Sequence, residues 1–173
     1  MNWFWISIGA IGGLFYLMSK GRHRRKTKVT PAKTITEQHR VKAALASEDI
    51  EAMESALEET KGPILRNQLL EQISIHYYRL RSDPESRKVF YSFASVHIEE
   101  ASAVLDALSE TEEERPDRYD SFRMLAIAMG EDERYDDAVD ICKKAIALGL
   151  KNGTKTGFEG RISRLERKRA DTE

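Results

Sequence analysis

Residues 119–152, YDSFRMLAIAMGEDERYDDAVDICKKAIALGLKN, decide the fold expected for this chain of 173 residues. Apolar residues recur at intervals of three and four on both sides of a short polar stretch at 130–134. This pattern is typical of two amphipathic helices joined by a tight turn. Gly149 follows the last periodic residue and is expected to end the second helix. The stretch therefore predicts a helical hairpin.

The same periodicity continues through most of the chain after residue 35, and strand signals are almost absent. Helices are predicted over about residues 36–46, between 47 and 62, from 63 to about 81, from 84 to about 108 with a break near Ser95, and over about 117–129, 134–148 and 156–170. Ser82 is the expected N-cap of the fourth helix, because a glutamate follows three residues later. Seven short helices with tight connections predict an all-α fold of stacked antiparallel hairpins.

Large and small side chains follow a fixed order within the hairpin at 119–152. The positions that would pack its helices together are held by Phe122, Leu125, Ala126, Met129, Tyr135, Ala138, Cys142 and Ala145. This order resembles the tetratricopeptide repeat (TPR), a helix–turn–helix unit of about 34 residues. Small residues in such a unit let neighbouring helices approach closely. Two positions depart from the family pattern, since Met129 replaces an aromatic residue and Leu150 stands where a proline often ends the unit.

The resemblance weakens toward the amino terminus. Residues 67–100 match the first helix of a repeat, but Phe93 stands where the second helix should carry a small residue. Residues 36–60 form a predicted hairpin that could be a third unit, and the helix at 156–170 would cap the stack. The resemblance implies that residues 35–173 form a TPR-like α-solenoid.

The amino-terminal segment 1–19 is apolar and carries no charged residue. Its core, the run from Trp3 to Met18, would span roughly 24 Å as a helix, which is short of the roughly 30 Å hydrocarbon core but usable with slight thinning of the bilayer. Aromatic residues that favour the two membrane interfaces are Trp3, Trp5 and Tyr16. We therefore expect a single transmembrane anchor. Gly9 and Gly13 form a Gly-x-x-x-Gly spacing through which two anchors could associate.

A basic linker at 20–34 follows the anchor. Its membrane-proximal cations are Lys20, Arg22, Arg24, Arg25, Lys26 and Lys28. Positive flanks stay in the cytoplasm, so the amino terminus is expected outside and the soluble domain in the cytoplasm. A cleaved signal peptide and a buried core helix are the alternatives; the missing cleavage site and the missing upstream cation argue against the first. Without a cleavable targeting segment, a bacterial inner membrane is the favoured location.

Charge is distributed unevenly along the chain. The first 33 residues carry seven Lys/Arg and no Asp/Glu, whereas the remainder has an excess of eight acidic groups. An acidic soluble part argues against nucleic acid as the main partner. The single cysteine, Cys142, excludes an internal disulfide and a cysteine-rich metal site.

The sequence contains no recognisable catalytic or cofactor-binding motif. None of the four histidines has a second histidine three or four residues away, and His97 with Glu100 is an isolated pair. The glycine-rich loop at 149–160 could hold an anion, although a helix C-cap followed by a turn explains it. It leads into a basic strip that could meet a membrane surface or an acidic partner: Arg161, Arg164, Arg167, Lys168 and Arg169. We expect no enzymatic activity, no metal and no cofactor.

The sequence predicts a membrane-anchored, cytoplasm-facing adaptor or scaffold whose groove binds a peptide or a partner protein. The groove residues that the resemblance implies are Asp120 and Arg123, on the first helix of the best unit. The alternative is a structural subunit of a membrane or envelope complex, permanently packed against a membrane protein. A large exposed apolar patch on the soluble domain would favour that alternative. The opposite membrane topology is a further alternative, which the charge bias opposes.

Overall fold

The regular secondary structure of the described part of the chain is entirely α-helical. A computed structural model describes residues 31–111 and 115–172, with side chains from Thr36 onward. These ranges contain seven α-helices and no β-strand, which confirms the predicted all-α class. None of these helices combines the length and the apolar character that a bilayer span requires. The predicted anchor at 1–19, with its aromatic and glycine positions, and the linker cations lie outside the described residues.

The seven helices have unequal lengths. They are α1 (Pro31–Ser47), α2 (Ile50–Glu59), α3 (Pro63–Arg79), α4 (Pro84–Ser109), α5 (Asp120–Glu131), α6 (Tyr135–Ala147) and α7 (Gly157–Thr172). Helix α1 begins at Pro31, inside the predicted linker 20–34, where proline suits a first helical turn. The predicted break near Ser95 is wrong, since α4 is continuous through 26 residues.

Helix caps follow local side-chain chemistry. Asp83, not the predicted Ser82, caps α4: its carboxylate accepts a hydrogen bond of 2.8 Å from the backbone N–H of Ser86. A carboxylate at this position also favours the positive end of the helix dipole. At the other end of the chain, Gly149 adopts a φ of 71°, which confirms the predicted stop after α6.

Successive helices pack against one another in chain order. The closest pairs are α3 with α4, α5 with α6, and α6 with α7, and α5 also touches α3. The turns that join α3 to α4 and α5 to α6 are short, so each of these two pairs is an antiparallel hairpin. The compact unit begins at Ile35. Its larger core joins α4, α5, α6 and α7, and a smaller one joins α1, α2 and α3.

Two charged side chains fasten α1, α2 and α3 together. The Glu37 carboxylate of α1 accepts hydrogen bonds from the backbone N–H groups of Lys61 and Gly62, at the start of α3. Arg66 donates to the carbonyl oxygens of Leu57 and Thr60 at 3.1 and 3.0 Å, which satisfies the end of α2. Backbone groups at helix ends lack helical partners, so these contacts fix how the helices meet.

Small residues set the spacing of the helices around α5. Ala126, Ala138 and Ala145 are completely buried. A Cβ atom on Gly130 would lie 2.9 Å from the Cδ2 atom of Leu165, so α5 and α7 approach too closely for any larger side chain at that position without a shift. These contacts place α5 in the middle of the helical unit, flanked by α3 and α7.

Enlarging one of these small residues should destabilise the fold. Replacing Ala145 with Leu inserts a large side chain at a completely buried position. We expect the free energy of unfolding to fall by about 2 kcal/mol, because overpacked cores must shift backbone and rotamers. Urea denaturation followed by circular dichroism measures the change.

The matched control lies two residues away on the same helix. Ala147 is exposed, and alanine and leucine have similar helix propensities. Ala147→Leu should therefore change the stability by less than about 0.5 kcal/mol. Equal effects of the two substitutions would show that close packing at Ala145 does not limit the helix spacing.

Candidate functional site

The predicted repeat-packing residues lie mainly in the interior. Phe122, Leu125, Ala126, Met129, Ala138, Cys142 and Ala145 are buried, and Tyr135 is partly buried against the same core. Burial raises the pKa of the Cys142 thiol to about 11, although the nearby Arg161 and Arg164 oppose the shift. The thiol therefore stays protonated at neutral pH and packs as a small apolar group.

The predicted groove residues belong to a narrow exposed strip of α5. Seven of its twelve residues are buried, because α3, α4, α6 and α7 surround the helix. The residues that remain partly exposed along one face are Asp120, Arg123, Ile127 and Gly130. We call these four residues the α5 strip. Asp120 and Arg123 lie one turn apart and form an ion pair of 3.2 Å.

Helix α7 adds positive charge beside the strip. Arg161 lies within electrostatic range of Cys142 of α6, Arg164, Arg123 of α5 and Tyr78 of α3. Burial, and then the like charges of Arg164 and Arg123, hold the pKa of Arg161 below its usual range. We call Arg123, Arg161 and Arg164 the arginine cluster. The sequence placed the last two in a basic strip of α7, but only the packing of α7 onto the α5–α6 hairpin brings them near Arg123.

Helix α3 adds negative charge on the opposite side of the strip. Burial, and then the neighbouring Asp120, raise the pKa of the Glu71 carboxyl above its usual range. Glu71 also lines a surface cavity of about 600 Å³ between α3 and the α1–α2 turn. Leu45, Ile50 and Ile75 provide the apolar part of the cavity wall. The surface around α5 is thus acidic toward α3 and basic toward α7.

A buried histidine holds the helices beneath this surface. His97 of α4 is 1% exposed, its Nδ1 atom lies 2.7 Å from the Ser121 hydroxyl of α5, and its Nε2 atom lies 2.7 Å from Asn67 Oδ1 of α3. The amide oxygen only accepts, so Nε2 carries the proton and donates. Nδ1 then accepts from the Ser121 hydroxyl. A single neutral imidazole therefore links three helices.

The stability contributed by His97 should depend on pH. Burial lowers its pKa from 6.5 to about 4. The unfolded chain takes up a proton as the pH falls below 6.5, whereas the folded chain resists protonation until about pH 4. His97 therefore removes stability progressively on acidification through this window, by about 2 kcal/mol between pH 7 and pH 5.

Denaturation curves at pH 7 and pH 5 measure this loss. His97→Gln cannot titrate, so it should lose about 2 kcal/mol less than the wild type on the same acidification. His39→Gln, at an exposed histidine of α1, controls for the substitution itself. An identical pH dependence of His97→Gln and the wild type would contradict the buried neutral imidazole.

Two further features could have carried chemistry: a metal site and the glycine-rich loop at 149–160. Among residues 36–111 and 115–172, no group of three His, Cys, Asp or Glu side chains could hold a metal ion. In the glycine-rich loop, Asn152 is 4% exposed, and its Nδ2 atom donates to the carbonyl of Gly157 at 3.0 Å. Positive φ angles at Gly153 and Gly157 explain why this loop needs glycine.

Comparison with known proteins assigns no family. No protein-family model, no curated protein and no solved structure matches the chain. The TPR resemblance therefore depends on the order of residues at 119–152, and the function must be argued from the surface around α5.

Proposed function

We propose that this chain is a membrane-anchored, cytoplasm-facing adaptor that binds a peptide or a partner protein in a TPR-like groove. The observation that carries the proposal is the α5 strip, a partly exposed polar surface that combines Ile127 with charges of both signs. A surface of this kind fits an extended segment or a helix of another protein better than a small apolar ligand.

The scarcity of exposed apolar groups supports an adaptor over a permanently packed subunit. The exposed large hydrophobic residues of the described part are Leu80 and Ile146, which are 47% and 37% exposed. Leu80 follows α3 and Ile146 belongs to α6, so they lie in separate hairpins. Obligate interfaces are larger and more apolar than that.

The outer face of α7 also supports a self-contained binding domain. On α7, Phe158 and Leu165 are buried, whereas nearly all of the polar residues are exposed. Such a helix closes a stack, because a terminal unit needs a polar outer face. The proposed mechanism is tethering: an anchor at 1–19 would confine the groove to the membrane and raise its effective concentration toward other membrane proteins.

In-cell crosslinking followed by pull-down tests the proposal. The full-length chain is compared with a variant that lacks residues 1–19. We expect the full-length chain to capture a defined partner and the shortened chain to capture less of it. Without the anchor, the chain must reach its partner from solution and loses the raised effective concentration at the membrane. Quantitative mass spectrometry measures the captured amounts.

The control is the distribution of the two forms between the membrane and soluble fractions. Equal capture by both forms would remove the role of the anchor and leave the groove as the selecting element. Capture of no partner by either form would contradict the adaptor function.

A further inference from the structure

The arginines of the helical unit differ in whether they have a carboxylate partner. Six arginines in the described ranges are partly buried: Arg40, Arg66, Arg81, Arg87, Arg123 and Arg161. The first five each form an ion pair, with Glu59, Glu100, Glu131, Asp132 or Asp120. Arg161 has none among the described residues, so its charge is not compensated there.

The guanidinium of Arg161 is incompletely satisfied as well. Its Nε atom is buried and has no hydrogen-bond partner in the described part of the chain. The charged groups around it include two further cations, Arg123 and Arg164. Arg123 is held by Asp120, and Arg164 donates to the Thr156 hydroxyl at 3.4 Å. A partly buried cation with like-charged neighbours and a free donor destabilises the unbound protein.

We propose that Arg161 binds the carboxylate of an aspartate or glutamate side chain in the partner's docking segment, with Arg123 and Arg164 at its sides. The inference rests on the proposed function, because it names the chemistry of that partner. A carboxylate can accept two parallel hydrogen bonds from one guanidinium. The terminal nitrogens of Arg161 donate them, because its Nε atom is buried. The bound carboxylate supplies the negative charge that no described residue supplies beside Arg161.

The surrounding charges favour an acidic protein segment over an anionic membrane. Glu71 and Asp120 lie on the α3 side of the same surface, and the chain after residue 33 has an excess of eight acidic groups. A sheet of lipid phosphates would meet these carboxylates and be repelled. A segment with one acidic residue near a basic or amide residue matches both sides of the α5 strip.

Peptide binding to the full-length protein in a non-ionic detergent tests the inference. The probe is a fluorescein-labelled peptide with one glutamate among serine and glutamine residues, and the analogue with glutamine in place of that glutamate is the matched peptide control. We expect fluorescence anisotropy to show saturable binding of the glutamate peptide, with the dissociation constant raised at least about tenfold by Arg161→Gln. Arg161→Lys keeps the charge but loses the planar pair of donors, so it should also weaken binding.

Arg167→Gln is the matched protein control. It removes the same charge from the same helix at an exposed position, and it should leave the dissociation constant within about twofold of the wild type. Thermal unfolding checks each variant, and Arg161→Gln should melt no lower than the wild type because it removes an uncompensated cation.

Three results would overturn the inference. The first is equal binding of the glutamate and glutamine peptides, and the second is equal loss of binding in the Arg161 and Arg167 variants. The third is binding of dihexanoyl-phosphatidylglycerol that requires Arg161, without binding of the glutamate peptide, since the anion would then be a lipid headgroup.

Capture of the cellular partner separates this inference from the proposed function. A partner that the wild type captures and Arg161→Gln captures equally would leave the adaptor function standing and contradict the role of Arg161. A partner lost only with Arg161→Gln, and crosslinked through a segment that contains an acidic residue, would support both.

Discussion

The neutral imidazole of His97 is the interaction on which the candidate site depends. It accepts from Ser121 and donates to Asn67, so α4 fixes the positions of α5 and α3 through one buried side chain. Hydrogen bonds of this kind are costly to break in a low-dielectric interior, because each partner would be left unsatisfied. The surface residue Glu71 lies one turn beyond Asn67, and Arg123 lies two residues beyond Ser121. The buried contacts of His97 therefore determine where Glu71 and Arg123 lie on the surface.

The arrangement of α3, α4 and α5 goes together with a close approach of α7 to α5 and with opposite charges on the two sides of α5. Gly130 admits Leu165, so α7 lies near enough to α5 for Arg161 to act on Arg123. On the other side, α3 brings Glu71 to Asp120. The ion pairs of Arg81 and Arg87 with Glu131 hold the far end of α5 against the α3–α4 turn. Arginines that stabilise the helical unit are thus paired within it, and the described contacts leave Arg161 available for a partner.

Periodicity was sufficient to predict the seven helices, since apolar spacing and capping residues act within a few positions of the chain. It missed the cap at Asp83, where a carboxylate competes with the adjacent Ser82, and it placed a break in α4 that packing prevents. Phe93 was expected at a small-residue position; it is only partly buried and stacks on Tyr77 at 6.0 Å, while Ala94 is the buried small residue. The proximity of Asp120 to Arg123 was predictable, because the two residues are three positions apart on one helix. Arg161 was not, because its neighbours lie on other helices.

The most direct test of the account is site-specific photocrosslinking in cells. A photoreactive benzoylphenylalanine replaces Ile127 within the α5 strip or, as the control, Lys143 on the exposed side of α6. If the surface between α3 and α7 receives a partner protein, the probe at Ile127 gives a discrete crosslinked species and the probe at Lys143 does not. A crosslink from Lys143 alone, or equal diffuse labelling from both positions, would contradict the claim that this surface is the binding site.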